Sequence, residues 1–161
     1  MTYRIRGLEP GQFAHFFAMD DSALAAALTQ RVQAGAQGRY PCRVSLRDAD
    51  PGEGLVLTHF TNHAVDTPYR NAFAIYVRKD ATEAAEYVDI LPPVLRERPI
   101  ALRGYDASGC LHTATLAVAD DVDPAIRGLL DDPDVAYIDA HNAMHGCFAA
   151  RIERYDEASH D

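Results

Sequence analysis

At 161 residues, 48% of them hydrophobic and 24% charged, the chain has the size and apolar content of one domain that buries a core without covalent staples. A formal charge of -9 repels polyanions, which argues against nucleic acids and anionic membrane surfaces as partners. No apolar run approaches the roughly 20 residues of a membrane helix. The start lacks the apolar centre of a signal peptide, and Cys42, Cys110 and Cys147 form no CxxC pair. The expectation is a cytoplasmic protein with free thiols.

In chain order, residues 2–8 alternate and predict a short strand. Glu9-Pro10 opens a predicted helix, because proline fits the first helical position, and Phe13, Phe16 and Phe17 give it an aromatic stripe. Asp20, Asp21 and Ser22 offer caps for a second helix through Val32, with Leu24, Leu28 and Val32 on one side and Gly35 and Gly38 ending it. Residues 42–47 then alternate Cys42, Val44 and Leu46 against Arg43, Ser45 and Arg47. They predict a strand paired in a hairpin with residues 55–60 across a turn-rich segment.

Residues 61–71 carry no period and read as a loop. Residues 73–78 follow as a strand, with Phe73, Ile75 and Val77 on one face. Asp80 and Glu83 have capping-box spacing for a short helix to about Val88. Pro92, Pro93 and Pro99 break the chain before a hairpin of residues 100–105 and 110–118. Asp123-Pro124 starts another helix, with Ile126, Leu129 and Leu130 inward. Residues 135–140 and 147–155 form a last hairpin joined by HNAMHG, and 156–161 read as a frayed tail. The sum is an α+β domain over residues 1–155: a mostly antiparallel sheet of hairpin-connected strands with three or four short helices packed on it.

Nucleotide-binding glycine loops, HExxH, GxSxG and EF-hand patterns are missing from the sequence. The densest local chemistry is His141-Asn142-Ala143-Met144-His145-Gly146-Cys147. If Phe148, Ala150 and Ile152 form an apolar face, Cys147 falls on the polar side with Ala149, Arg151 and Glu153. A nearby positive charge favours a thiolate, the form that attacks electrophiles. His141 or His145 could serve as base and Asn142 could orient the histidine or donate to an oxyanion. The alternative is a small side chain filling a tight hairpin beside histidines that merely hydrogen-bond.

Two His-x3-His pairs, His59/His63 and His141/His145, lie at strand ends rather than on helices. Convergence with Cys147 or Asp139 would be needed for a metal site. His59 shares a face with Leu55 and Leu57 and reads as a core histidine. Arg43 after Pro41-Cys42, and Arg70 after Pro68-Tyr69, could clamp an anionic small molecule, with Tyr69 supplying a polar handle. Since 14 of the 15 basic residues are arginine, ordinary surface arginines or internal ion pairs remain open for both. Cys42 aligns with Val44 and Leu46 and reads as a buried structural thiol; Cys110 and His112 also read as structural.

The set Pro41-Cys42-Arg43-Val44-Ser45-Leu46, Pro68-Tyr69-Arg70 and His141-Asn142 through Gly146-Cys147-Phe148 resembles an uncharacterised bacterial family, domain of unknown function 1203. The likeness takes in the YRIRGL start and the PPVLR segment. It implies a stand-alone bacterial domain and carries no reaction, cofactor or partner. Two function classes therefore follow from the residues. One is a small enzyme with Cys147 as nucleophile or redox thiol. The other is a non-catalytic domain binding an acidic metabolite through Arg43, Tyr69 and Arg70. A metal-binding variant of either would use His59, His63, His141 and His145.

Overall fold

The structure is a computed structural model and describes residues 1–156, so the expected frayed tail lies outside the described residues apart from Asp156. It is α+β, with two antiparallel sheets. The larger sheet contains β1 (Tyr3–Arg6), β5 (Glu86–Val88), β6 (Ile100–Tyr105), β7 (Leu111–Ala117), β8 (Tyr137–Asn142) and β9 (Phe148–Arg154), in the order β5-β1-β9-β8-β6-β7. The smaller sheet is β2 (Thr29–Gln33), β3 (Gly54–His63) and β4 (Asn71–Arg78), in that order. The helices are short: α1 (Asp21–Ala26), α2 (Pro93–Arg96) and α3 (Val122–Asp131).

Two apolar clusters result. Ile5, Ile100, Leu102, Ile138, Ala140 and Ile152 cover one face of the larger sheet, against Val94 and Leu95 of α2 and Val122, Ile126 and Leu130 of α3. Val56, Ile75 and Val77 of the smaller sheet pack with Phe13, Cys42 and Val44. The β6/β7 and β8/β9 hairpins, β4 and α3 stand where the sequence pattern places them.

Four segments differ from expectation, each because tertiary pairing outweighs a local preference. Asp20 does cap α1, its Oδ1 accepting from the Ala23 amide at 2.8 Å, but the helix stops at Ala26. Leu28 turns at φ 52, and residues 29–33 become a strand whose Thr29 hydroxyl meets that of Thr58 at 2.7 Å. The stretch after Asp80 is not helical; it turns and delivers Glu86–Val88 to the open edge of β1. The Phe13 region coils as two 3-10 turns, Pro10–Gln12 and Ala14–Ala18, with the Phe13 ring 5.6 Å from Phe60.

Residues 42–47 are the most instructive case. They form no strand and no hairpin with β3. Cys42, Val44 and Leu46 are buried because the segment is enclosed from several sides, not because it lies on a sheet face. Its backbone is held by Leu8 N to Arg43 O at 2.7 Å, Arg43 N to Tyr76 O at 3.1 Å and Ala85 N to Val44 O at 2.9 Å. Gly7 permits this closeness, since a Cβ there would lie 2.0 Å from the Val44 carbonyl oxygen. Cys42 and Val44 belong to one apolar cluster and Leu46 to the other, so the segment joins the two.

Smaller differences complete the picture. Strand β3 extends to His63, shortening the expected loop. Pro93 starts α2 instead of merely breaking the chain, and Val94 and Leu95 are buried there. His59 is exposed rather than a core residue, and the buried histidine of that strand is His63. The face carrying His112 and Leu116 is also exposed, so their packing role is not observed.

Candidate active site around Cys147

The last hairpin is tightened by its own backbone. Asn142 N donates to Cys147 O at 2.9 Å and Gly146 N to Asn142 O at 2.7 Å, with Gly146 at φ 76. The register shifts after Ala140, so Phe148 lies opposite His141 while Ala150 still pairs with Ala140. Ala149 is the extra residue and, like Ala150, sits in the apolar cluster. The simple alternation assumed from Phe148 to Ile152 is therefore broken, and Cys147 precedes β9 rather than sharing its polar face.

What meets the Cys147 sulfur comes from far away in sequence. Arg43 Nη2 and Asn142 Nδ2 each donate to Sγ at 3.2 Å. Arg43 also donates through Nε to the Phe148 carbonyl at 2.8 Å and through Nη1 to the Pro41 carbonyl. Its side chain is enclosed, with the residue 2% exposed, and no Asp or Glu pairs with it among the described residues. Burial pulls the guanidinium pKa below its ordinary value, and the neighbouring Cys147 sulfur acts in the opposite direction. The guanidinium is therefore a buried cation whose hydrogen-bond partners are two carbonyls and one sulfur.

A cavity of about 570 Å³ opens beside these groups. Cys147, Arg43, Asn142 and His145 line it, as do Phe73 and Tyr76 from β4. Arg39 and Arg98, which the sequence reading did not single out, complete a cationic side. Arg98 is committed to both carboxylate oxygens of Asp48 at 2.6 Å, whereas Arg39 donates to the Glu97 carbonyl at 3.1 Å and lies 3.6 Å from the carboxylate of Glu97, which also lines the cavity. Proline-flanked Arg39 to Arg43 and Arg98-Pro99 were the available sequence signal, but nothing local placed them together.

The remaining expected site residues lie elsewhere. His141 is buried, and its Nδ1 faces the Gly146 carbonyl at 2.9 Å. Since a carbonyl only accepts, Nδ1 carries the proton and Nε2 is the free acceptor; that nitrogen is buried without a hydrogen-bond partner. Burial lowers the His141 pKa to about 4, so the ring is neutral near pH 7 and fixes the turn rather than lining the cavity. Arg70 sits on the loop after β3, donating to Val65 O at 3.3 Å and lying 3.8 Å from Asp66. Tyr69 stacks edge-on near Tyr105, and its carbonyl faces His63 Nδ1 at 2.9 Å. Neither lines the cavity, so the expected clamp of Arg43, Tyr69 and Arg70 is not assembled.

The histidine pairs do not converge as expected for a metal. Among the described residues, the group with three ligand atoms within 4.8 Å is His112, Asp132 and Asp134. An exposed His112–Asp132 pair at 2.9 Å and an Asx turn from Asp132 to the Asp134 amide account for it. His63 is fully occupied by Tyr69 O and by the Tyr137 hydroxyl at 2.7 Å. Cys42 is enclosed, its sulfur accepting from the Arg78 amide at 3.3 Å.

Fold and site together define an antiparallel α+β protein with a cysteine held by a buried arginine at the wall of a cavity. The chain belongs to the family described as Protein of unknown function (DUF1203), whose model matches residues 39–154. The match contains every residue at the Cys147 sulfur but does not reach the YRIRGL start. No curated protein and no solved structure matches the chain. Among the described residues no helix is long and apolar enough to cross a membrane.

Proposed function

We propose that the protein is a small cytoplasmic enzyme in which the Cys147 thiolate attacks an anionic small molecule bound in the cavity. The observation that carries this reading is the contact at 3.2 Å between Cys147 Sγ and the buried Arg43 guanidinium, which has no carboxylate partner among the described residues. Arg43 holds the sulfur as an anion, and the Asn142 amide adds a second donor. Arg39 supplies attraction for an anionic substrate at the rim, where His145 and Glu97 also line the wall. His141 is a positioning residue that sets the Gly146 turn. Three free cysteines suit a reducing compartment. With this charge balance, neither nucleic acid nor a membrane surface is a favoured partner.

The test is the pH profile of iodoacetamide labelling, read at each cysteine by peptide mass spectrometry on folded protein. Cys147 is expected to label at pH 6, well below the ordinary thiol pKa of about 8.5, while buried Cys42 stays silent. Arg43→Gln should slow Cys147 labelling at pH 6 by about tenfold, and Asn142→Ala by less. Arg70→Ala, remote from the sulfur, serves as control. A Cys147 that labels only above pH 8, or equally fast in Arg43→Gln, would overturn the proposal.

A further inference from the structure

Resting on the Cys147 reading, we infer that the reaction is thiol–disulfide exchange with an anionic low-molecular-weight disulfide. The groups bonded to the sulfur point to this class. Its two donors are a guanidinium and a carboxamide, and neither releases or takes up a proton in the working pH range. His141, which the sequence suggests as base, is tied by Nδ1 to Gly146 and is absent from the cavity wall. His145 lines the cavity but makes no hydrogen bond to the sulfur among the described residues.

Ester or amide hydrolysis needs a positioned acid for the leaving group and a base for water. Disulfide exchange needs neither, because the leaving group departs as a thiolate that is stable without a proton. In that step Cys147 S⁻ attacks one sulfur of R–S–S–R. The new bond is Cys147 S–S–R, the old S–S bond breaks, and its electron pair leaves on RS⁻, which takes a proton from solvent. A second small thiolate attacks the mixed disulfide, restores Cys147 S⁻ and releases a disulfide; no net oxidant is consumed. Cys42 is enclosed and stays outside this exchange.

Two further features specify the ligand. Arg39 at the rim donates to the Glu97 carbonyl at 3.1 Å and lies 3.6 Å from its exposed carboxylate, a surface pairing that a ligand carboxylate can replace in a protein whose overall charge is -9. Asn142 is 7% exposed and lines the cavity, and its Oδ1 is buried without a hydrogen-bond partner. It is an acceptor waiting beside the sulfur for an N–H donor, so a disulfide flanked by amide groups fits better than a bare one.

The full-length chain would be mixed with oxidised glutathione, with neutral bis(2-hydroxyethyl) disulfide and with cationic cystamine, and the mixed disulfide at Cys147 followed by mass. Oxidised glutathione is expected to react at least about tenfold faster than cystamine at low salt, with the gap narrowing as salt rises and in Arg39→Gln. Reduced glutathione should then return the protein to its original mass. No preference for the anionic disulfide, with Cys147 still alkylated at pH 6, would overturn this inference and leave the thiolate reading standing. No alkylation at pH 6 would remove both.

Discussion

Two buried arginines, Arg78 and Arg43, solve the same electrostatic problem in opposite ways. Arg78, 7% exposed, grips Glu53 with Nε at 3.0 and 3.1 Å from the two carboxylate oxygens and reaches Ser45 Oγ at 3.2 Å. Its guanidinium holds the Glu53 carboxyl below the ordinary range. Arg151 does likewise with the enclosed Asp139, at 2.8 Å. Those ion pairs are finished; an incoming anion would have to displace a carboxylate. Arg43 faces carbonyl dipoles and a thiol sulfur instead, with no carboxylate paired to it among the described residues. The first arrangement is a closed ion pair, and the second leaves a buried charge beside a sulfur on a cavity wall, the contact on which the proposed reactivity rests.

The contrast can be broken most forcefully from the Arg78 side. Glu53→Ala leaves that guanidinium buried without its counter-ion and is expected to cost about 3–5 kcal/mol in urea unfolding. Labelling of Cys147 should not change, because Arg43 keeps all its contacts. A loss below about 1 kcal/mol would mean that Arg78 is as open to solvent as a surface residue.

Acid separates the two regions next. His141 has a folded pKa of about 4 against an ordinary 6.5, so between these values the unfolded chain binds a proton that the folded chain refuses. Stability therefore rises with pH across this window and falls on acidification, by about 3 kcal/mol in total. The Glu53 contribution is lost at lower pH, as the medium passes below the ordinary carboxyl value of 4.5 toward the depressed one. In His141→Gln the upper window should flatten and the lower one persist. Equal slopes in both proteins, followed by urea unfolding at stepped pH, would show that His141 titrates normally.

The smallest of the three effects sharpens the comparison at the Arg43 end. Gly7→Ala pushes on the backbone carbonyl of Val44, next to Arg43, and is expected to cost about 2 kcal/mol through overpacking. It should also slow Cys147 labelling at pH 6, although residue 7 touches neither group. A destabilised variant with unchanged labelling would show that the guanidinium is located by its side-chain bonds alone.

Strands with one buried face and a paired neighbour close in sequence were legible: β4, the β6/β7 and β8/β9 hairpins, and α3 with Ile126 and Leu130 inward. Residues 22–32 misled because alanine-rich local preference speaks for helix, whereas Thr29 and Val32 are recruited by β3 from a distance. Residues 42–47 misled more deeply. An alternating pattern normally reports one buried face, but here Arg43 is buried along with Cys42 and Val44. The site was legible as separate words: Cys147, Asn142, His145 and Arg43 all reach the cavity. Their grammar was not, since Arg43 and Cys147 lie 104 positions apart and no local rule pairs them. Arg70, next to Tyr69, looked equally promising and does not line the cavity.

The bridging of both apolar clusters by residues 42–46 sets the rhythm at which the site can breathe. The Arg43 amide is bonded to Tyr76 O and the Leu46 amide to Cys42 O, so exposing either to water requires both clusters to part. Their hydrogen exchange should run at the rate of whole-molecule opening, while Ala143, Met144 and His145, exposed at the hairpin tip, exchange through small local excursions. On the proposed reading, the guanidinium beside the Cys147 sulfur would thus open only with the whole molecule, while the exposed hairpin tip at the cavity rim would open by itself.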